Sequence, residues 1–248
     1  MTAERTFRIW RGDAQAGELH EYRTEVAPGM VVLDAVHRIQ AERANDLACR
    51  WNCKAGKCGS CSAEINGRPR LMCMTRLSDL PEDRPVQIEP MRAFPLIRDL
   101  VVDVSSNYEA KRKIRPFTPR PPDAADGSWR MAQADVDRVQ EFRKCIECFL
   151  CQDVCHVLRE HGLHERFVGP RVLVHIAALE MHPLDSADRI PTLRAEHGIG
   201  FCNITKCCTT VCPEGITITD NAIIPLKERV VDRFYDPVRT FMRLVGID

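Results

Sequence analysis

Clustered cysteines are the residues of this chain whose type and spacing could do chemistry. The chain has 13 cysteines among 248 residues, and most of them fall into three short runs. In a reducing compartment, clustered cysteines are more often ligands of metal ions or iron–sulfur clusters than partners in disulfides. The spacing within each run indicates which of these sites it would form.

The first run has the spacing C-x4-C-x2-C and a fourth cysteine further along. Its members are Cys53, Cys58, Cys61 and Cys73. This is the plant-type ferredoxin pattern, which holds a [2Fe–2S] cluster. Gly56 and Gly59 would let the loop curl closely around the cluster. The alternative, a structural zinc site, usually presents two pairs of cysteines two to four residues apart and fits this spacing less well.

The second run has the spacing C-x2-C-x2-C-x3-C of bacterial ferredoxins. Its members are Cys145, Cys148, Cys151 and Cys155. In that pattern the fourth cysteine binds the other of two clusters, so a further run must exist to complete both sites. The sequence supplies it as Cys202, Cys208 and Cys212, followed by Pro213.

Alignment of the third run with the second places Thr205 where a second cysteine would stand. Cross-ligation then predicts a [4Fe–4S] cluster on four cysteines: Cys145, Cys148, Cys151 and Cys212. The other site has three thiolates, as a [3Fe–4S] cluster requires: Cys155, Cys202 and Cys208. Cys207 stays open as a substitute for Cys208 or as a fourth ligand. Cys49 is expected to be a small buried apolar residue.

A β-grasp arrangement is predicted for the N-terminal part, which must position the first run. Sequence patterns predict strands in four segments: Thr6–Trp10, Cys61–Ile65, Arg68–Cys73 and Val86–Glu89. Asn66-Gly67 between the middle two is a strong hairpin signal. Apolar residues at positions 32, 35, 36 and 39 recur with helical spacing and predict one amphipathic helix.

A mostly helical C-terminal part is predicted to hold the second and third runs. Gly169-Pro170 marks the start of one helix, because proline is favoured in a first helical turn. A second apolar stripe with helical spacing predicts another helix, although Pro225 within it counts against that prediction. Its members are Ile223, Leu226, Val230 and Phe234.

The predicted fold class is α+β, with two domains and a linker. A plant-type [2Fe–2S] ferredoxin β-grasp domain is expected at residues 1–110. An all-α domain similar to bacterial ferredoxins is expected at residues 129–248 and would hold the [4Fe–4S] and [3Fe–4S] clusters. The linker, residues 111–128, begins with the basic, proline-rich stretch KRKIRPFTPRPP. A solvated linker is favoured over a surface that binds an acidic partner.

Charge and hydropathy restrict the classes of partner that this chain could bind. The formal net charge is zero, which argues against a nucleic-acid partner or bulk attraction to anionic lipid. Met1–Trp10 lacks the features of a signal peptide, so we expect a reducing compartment. The most apolar stretch, Val172–Met181, is shorter than the ~18 to 20 residues of a membrane span. Membrane association is therefore expected through a partner.

In this order and at these distances, the three runs resemble the iron–sulfur subunit of succinate dehydrogenase and fumarate reductase, the succinate:quinone oxidoreductase family. The resemblance covers nearly the whole chain and includes Phe94–Val101 and Phe167–Pro170. A plant-type half joined to a bacterial-type half with a three-cysteine site is specific to this family.

The resemblance implies a role in a membrane complex. A flavoprotein partner would interconvert succinate and fumarate on FAD, and electrons would pass through the three clusters to a quinone at a membrane anchor subunit, which in some relatives holds haem. The complex would sit at the cytoplasmic face of a bacterial inner membrane and serve the tricarboxylic acid cycle and the respiratory chain. The alternatives are a fumarate reductase subunit running in reverse, or the iron–sulfur subunit of another flavin-linked reductase. A zinc-stabilised binding module is the alternative from another class.

The resemblance is weakest at the expected quinone end. Relatives with a quinone pocket beside the three-iron cluster often carry proline, tryptophan and histidine at positions that here hold His156, Arg159-Glu160 and Asn203. The quinone pocket is therefore expected to be built differently, or to lie mainly in the anchor subunit.

Overall fold

A computed structural model describes residues 3–238 and Met242. The N-terminal half is built on a five-stranded mixed sheet with the order β2-β1-β5-β3-β4. The strands are β1 (Ala3–Gly12), β2 (Gly17–Val26), β3 (Ser62–Ile65), β4 (Arg68–Leu71) and β5 (Val86–Glu89). Strand β5 runs parallel to β1, and the other neighbours are antiparallel. A two-stranded hairpin follows, formed by β6 (Leu96–Arg98) and β7 (Val101–Val102).

Helix α1 (Val32–Glu42) supplies one side of the N-terminal core. Its buried stripe includes Val32, Val36 and Ile39, all fully buried along with Phe7 of β1. The Asp34 carboxylate accepts a hydrogen bond from the Val31 backbone N–H at 3.1 Å, which caps the first turn. One helix packed across a mixed sheet is the predicted β-grasp arrangement, which is confirmed.

The β3–β4 hairpin turns at Asn66-Gly67, as the sequence predicts. Both residues adopt positive φ, +51° and +74°. This is the conformation that a two-residue turn matching the twist of the strands requires, and asparagine and glycine tolerate it best. The hairpin leads the chain from Cys61 back to Cys73.

Helices make up the C-terminal half of the described residues. They are α2 (Ser105–Arg112), α3 (Gln133–Gln140), α4 (Leu150–Asp153), α5 (His156–Arg159), α6 (Gly169–Glu180), α7 (Ile190–Ala195), α8 (Cys207–Thr210) and α9 (Ile224–Phe234). A π-helical segment, Ile218–Ile223, leads directly into α9. Pro170 and Pro225 each sit in the first turn of their helix, where no N–H is needed. For this reason Pro225 does not break the predicted stripe.

The crossing segment at residues 111–128 is fastened to the helical half at several points. Arg189 is 1% exposed and donates to the backbone carbonyls of Arg115 and Pro116 at 2.8 Å each. It also pairs with Asp185 at 2.8 Å. The division at residue 110 stays a prediction, and helix α2 runs across it. In the described residues, no helix has the length and apolar character to cross a membrane.

Candidate iron–sulfur sites

Three cysteines of the first run, Cys53, Cys58 and Cys61, lie on the segment between α1 and β3, and Cys73 follows β4. The backbone N–H groups of Ala55 and Lys57 each donate to the Cys53 sulfur at 3.3 Å. On the far side, the Cys73 N–H donates to the Cys61 sulfur at 3.4 Å. N–H groups aimed at sulfur stabilise negative charge there, as a thiolate-bound cluster requires.

The thiols of the first run interact with one another in pairs. Burial opposes ionisation of Cys58, but hydrogen bonds with Ser60 and Cys53 lower its pKa to about 6. Burial, together with the neighbouring thiols of Cys73 and Cys58, raises the pKa of Cys61 to about 12. Four thiols gathered between a half-exposed loop and a buried hairpin are a donor set that fits two iron atoms.

The second site is a cavity lined by cysteines from two distant parts of the chain. They are Cys145, Cys148, Cys151 and Cys212. The Ile216 backbone N–H donates to the Cys212 sulfur at 3.4 Å. Burial raises the pKa of Cys148 to about 12 and raises that of Cys151 well above its usual value. Thiols this buried ionise only when a cation balances their charge, so the cavity suits a metal cluster.

The third site is a second cysteine-lined cavity. Its cysteines are Cys155, Cys202, Cys207 and Cys208, and Thr205 lines the same cavity. The Cys208 sulfur lies 3.4 Å from the Thr219 hydroxyl, which is itself 1% exposed. The Thr209 hydroxyl donates to the Thr219 oxygen at 3.1 Å, leaving the Thr219 proton free for Cys208.

The second and third runs fold into twin loops separated by a constant 57 positions. Phe149 has φ +60° and ψ 9°, and Lys206 has φ +61° and ψ 8°. Glu147 and Ile204 share positive φ in the same way. Helices α4 and α8 then begin at equivalent positions. By this correspondence Thr205 replaces Cys148, Cys208 replaces Cys151, and Cys207 replaces the buried apolar residue Leu150.

The first and second sites meet through backbone. A Cβ added to Gly59 would lie 2.7 Å from the Cys148 Cα and 2.7 Å from the Ile146 carbonyl oxygen. The buried Ser62 hydroxyl lies 2.8 Å from the Cys148 carbonyl oxygen and 3.1 Å from that of Gly59. The two cysteine loops are therefore in direct contact, with no side chain at residue 59 between them.

An ionic network ties the two halves together beside these loops. Glu64 of β3 is fully buried, and the Arg159 guanidinium donates to its Oε2 at 3.1 Å. Asp153 of α4 accepts from the Ala93 N–H at 3.0 Å. Burial raises the pKa of Asp153 to about 7, with the Glu64 carboxylate adding to the shift. The network fixes β3 of the sheet against α4 and α5 of the helical half.

The structure brings all the predicted site cysteines to these three places. Cys49 is half-buried beside the first loop, and burial raises its pKa to about 12. In the described part of the chain, no group of three or more His, Cys, Asp and Glu side chains forms a site that could hold a metal ion. The donor chemistry, the two cysteine-lined cavities and the N–H groups aimed at sulfur are what fit clusters of iron and sulfide.

Comparison with known proteins bears on all three sites. Residues 6–109 match the family described as a 2Fe-2S iron-sulfur cluster binding domain, and residues 141–216 match a 4Fe-4S dicluster domain. The fumarate reductase iron-sulfur subunit of Mycobacterium tuberculosis is 38% identical over 203 residues, covering 79% of each chain. The chain belongs to the iron–sulfur subunits of succinate dehydrogenase and fumarate reductase.

Other relatives of this family agree over nearly the full length. The succinate dehydrogenase iron-sulfur subunit of Paracoccus denitrificans is 29% identical over 238 residues, covering 94% of this chain and 90% of that one. A chain of the Mycobacterium smegmatis Sdh1 complex in the apo form is 63% identical, with a TM-score of 0.91. That match covers 96% of this chain and 100% of the other. As an iron–sulfur subunit of this family, the chain is an electron-transfer subunit, and the predicted family and fold are confirmed.

Cysteine spacing gives no sign of several residues that border the sites of this iron–sulfur subunit. Ser62 follows Cys61 in a strand, and Thr219 and Arg171 are far in sequence from the cysteines they approach. Only Arg171 carries a weak signal, because it follows the Gly169-Pro170 helix start. A charged residue inside an apolar helix is unusual unless it is paired.

Replacing Thr219 by valine is expected to lower the midpoint potential of the third site. The hydroxyl hydrogen bond to Cys208 stabilises added negative charge, and valine keeps the shape without the bond. Redox titration monitored by EPR measures the shift. Thr219→Ser keeps a hydroxyl and is the control; an unchanged potential in Thr219→Val would refute the role of this bond.

Proposed function

We propose that this chain carries electrons one at a time from the FAD of a flavoprotein subunit, which oxidises succinate, to a quinone at a membrane anchor subunit. The [2Fe–2S] ligands are Cys53, Cys58, Cys61 and Cys73. The [4Fe–4S] ligands are Cys145, Cys148, Cys151 and Cys212. The [3Fe–4S] ligands are Cys155, Cys202 and Cys208. When bound, these clusters supply the one-electron carriers.

A single observation supports this proposal: the three cysteine sites lie in series. The first loop touches the second at Gly59 and Cys148. The second and third cavities exchange cysteines, since Cys212 lines the former and Cys155 the latter. Direct backbone contact and shared elements hold neighbouring sites at fixed separations, which an electron wire requires.

The two ends of the series are more exposed than its middle. Around the first loop, Trp51 is 48% exposed and Met74 is 57% exposed. Exposed large apolar side chains beside a redox site suit a protein partner. We assign the flavoprotein subunit to this face, because the first cluster of the series must receive the electrons.

The opposite end of the series, beside the third cavity, holds the positions at which this sequence differs from relatives with a quinone pocket. The Asn203 amide nitrogen lies 2.9 Å from the His156 Nε2, so two of the departing positions are joined by a hydrogen bond. Residues 203–206 are exposed beside the third cavity. We assign the anchor and its quinone to this face, with the subunit peripheral to the cytoplasmic side of the membrane. The quinone pocket is then lined mainly by the anchor.

A second candidate is the reverse reaction, fumarate reduction by quinol. The relative from Mycobacterium tuberculosis named as a fumarate reductase subunit favours it. The same residues would serve both reactions, because electron transfer along a series of one-electron carriers is reversible. The potential of the quinone and the partner subunits set the physiological direction.

EPR of the native membrane complex, before and after succinate, tests the proposal. We expect succinate to abolish the signal of an oxidised [3Fe–4S] cluster and to raise that of a reduced [2Fe–2S] cluster. If both cluster signals are present but ignore succinate, the flavin partner handles another substrate and the proposed reaction is wrong. Malonate, a competitive succinate analogue, serves as the control and should block the change.

A further inference from the structure

Arg171 is a buried arginine that lines the proposed [4Fe–4S] cavity but is not one of its proposed ligands. It lies in the first turn of α6, and its side chain is 8% exposed. It lines the cavity enclosed by Cys145, Cys148, Cys151 and Cys212. Its Nε is buried and has no hydrogen-bond partner among the described residues. A buried guanidinium N–H without an acceptor is costly, which points to an anionic group that the protein side chains do not supply.

Two ion-paired groups reach this cavity through Arg171 and Glu214, which both line it. Arg171 Nη2 contacts Glu147 Oε1, and Lys111 Nζ lies 2.6 Å from the same oxygen. Burial opposes ionisation of Glu147, but the ammonium of Lys111 and the guanidinium of Arg171 lower its pKa. On the other side of the cavity, Glu214 is paired with Lys57 at 3.3 Å. Of these three cations, Arg171 alone lines the cavity, and it is the most deeply buried of them.

Resting on the proposed function, we propose that Arg171 sets the potential of the [4Fe–4S] site, holding it higher than a neutral side chain would. Each electron that arrives adds one negative charge to a site already ringed by four thiolates. A fixed, largely buried cation beside the site stabilises the more negative state, because burial weakens the screening of their attraction. Glu147 moderates the effect, since it neutralises part of the charge on Arg171 and Lys111.

The position of Arg171 makes this effect specific to the middle of the series. The guanidinium does not line the cavity of the third site, and the first site lies beyond the backbone contact at Gly59. Its loss should therefore lower the middle potential relative to the two ends. Electron transfer from the first site to the second would then be less favourable.

Redox titration of the purified complex, followed by EPR, tests the inference in Arg171→Met, a neutral side chain of similar length. We expect the equilibrium constant for reduction of the [4Fe–4S] site to fall about tenfold, which is about 59 mV for a one-electron couple. Arg171→Lys keeps the charge and should show a smaller fall. Lys111→Met, which removes the more exposed cation on the same carboxylate, should shift the potential less than Arg171→Met.

Glu147→Gln provides the opposite change and keeps the inference testable if Arg171→Met fails to assemble. It removes a negative charge from the same group and should raise the potential. If Glu147→Gln lowers the potential or leaves it unchanged, the inference is overturned. The same holds if Arg171→Met assembles with an unaltered [4Fe–4S] potential. Failure of the proposed function is distinguishable, because the wild-type complex would then not respond to succinate at all.

Discussion

Replacing Cys208 by serine is expected to abolish the [3Fe–4S] EPR signal and succinate-driven quinone reduction, whereas Cys207→Ser should retain both. The twin loops give the reason. Cys208 occupies the place of Cys151, while Cys207 occupies the place of Leu150, a buried apolar residue that contributes no ligand atom. Loss of one of three thiolates removes the donor that the site cannot replace.

Cys207 lines the third cavity, so it is the matched control for this experiment. Its sulfur accepts a hydrogen bond from the Thr205 hydroxyl at 3.3 Å, which serine can imitate. Iron and acid-labile sulfide would be counted beside the EPR spectra of each variant complex. Loss of the three-iron signal in Cys207→Ser, with its survival in Cys208→Ser, would reverse the assignment of the two neighbours.

Replacing Gly59 by alanine is expected to slow electron passage from the first site to the second several-fold. The new Cβ would lie within 2.8 Å of three backbone atoms, which belong to Ile146 and Cys148 and cannot swing away. The loops must therefore separate, and electron transfer slows as the distance between two redox sites grows. Freeze-quench EPR after succinate addition would follow reduction of each cluster in turn.

Gly67→Ala is the matched control, because it introduces the same backbone strain at positive φ without a steric collision. Gly67 has φ +74°, close to the +67° of Gly59, but a Cβ there would meet nothing within 4 Å. Both variants bear a left-handed strain of about 1–2 kcal/mol, and only Gly59→Ala adds the collision. Equal slowing in the two variants would show that strain, rather than separation of the loops, is responsible.

Ligand spacing is a local property, so the sequence alone predicts how the cysteines divide among the three sites. The run from Cys145 to Cys155 must wrap a cluster of fixed size, so its spacing is set by that size and by short loops. The crossing of Cys212 into the second cavity follows from the same rule, and the cavity lining agrees with it. Helix α1 and four strands of the β-grasp sheet are predicted in the same way from local patterns such as Asn66-Gly67, whereas the edge strand β2 (Gly17–Val26) is missing from the prediction.

Contacts between distant segments could not be predicted in this way. The collision at Gly59, the Ser62 hydroxyl that approaches Cys148, and the Arg171 guanidinium beside the second cavity all depend on how the two halves dock. The docking in turn rests on buried ions such as Glu64, which a single sequence shows only as an ordinary strand residue. Periodicity gives the face of an element and not its partner.

The joint between the two cysteine loops has a consequence for how this protein can change over generations. At Gly59 the contact is made by peptide groups of residues 146–148, not by their side chains. Peptide groups are the same whatever residue is encoded, so sequence drift at Ile146 or Glu147 leaves the span between the sites intact. At this contact the side-chain constraint therefore falls on Gly59, which must stay without a Cβ, and on Ser62, whose hydroxyl bridges the two loops.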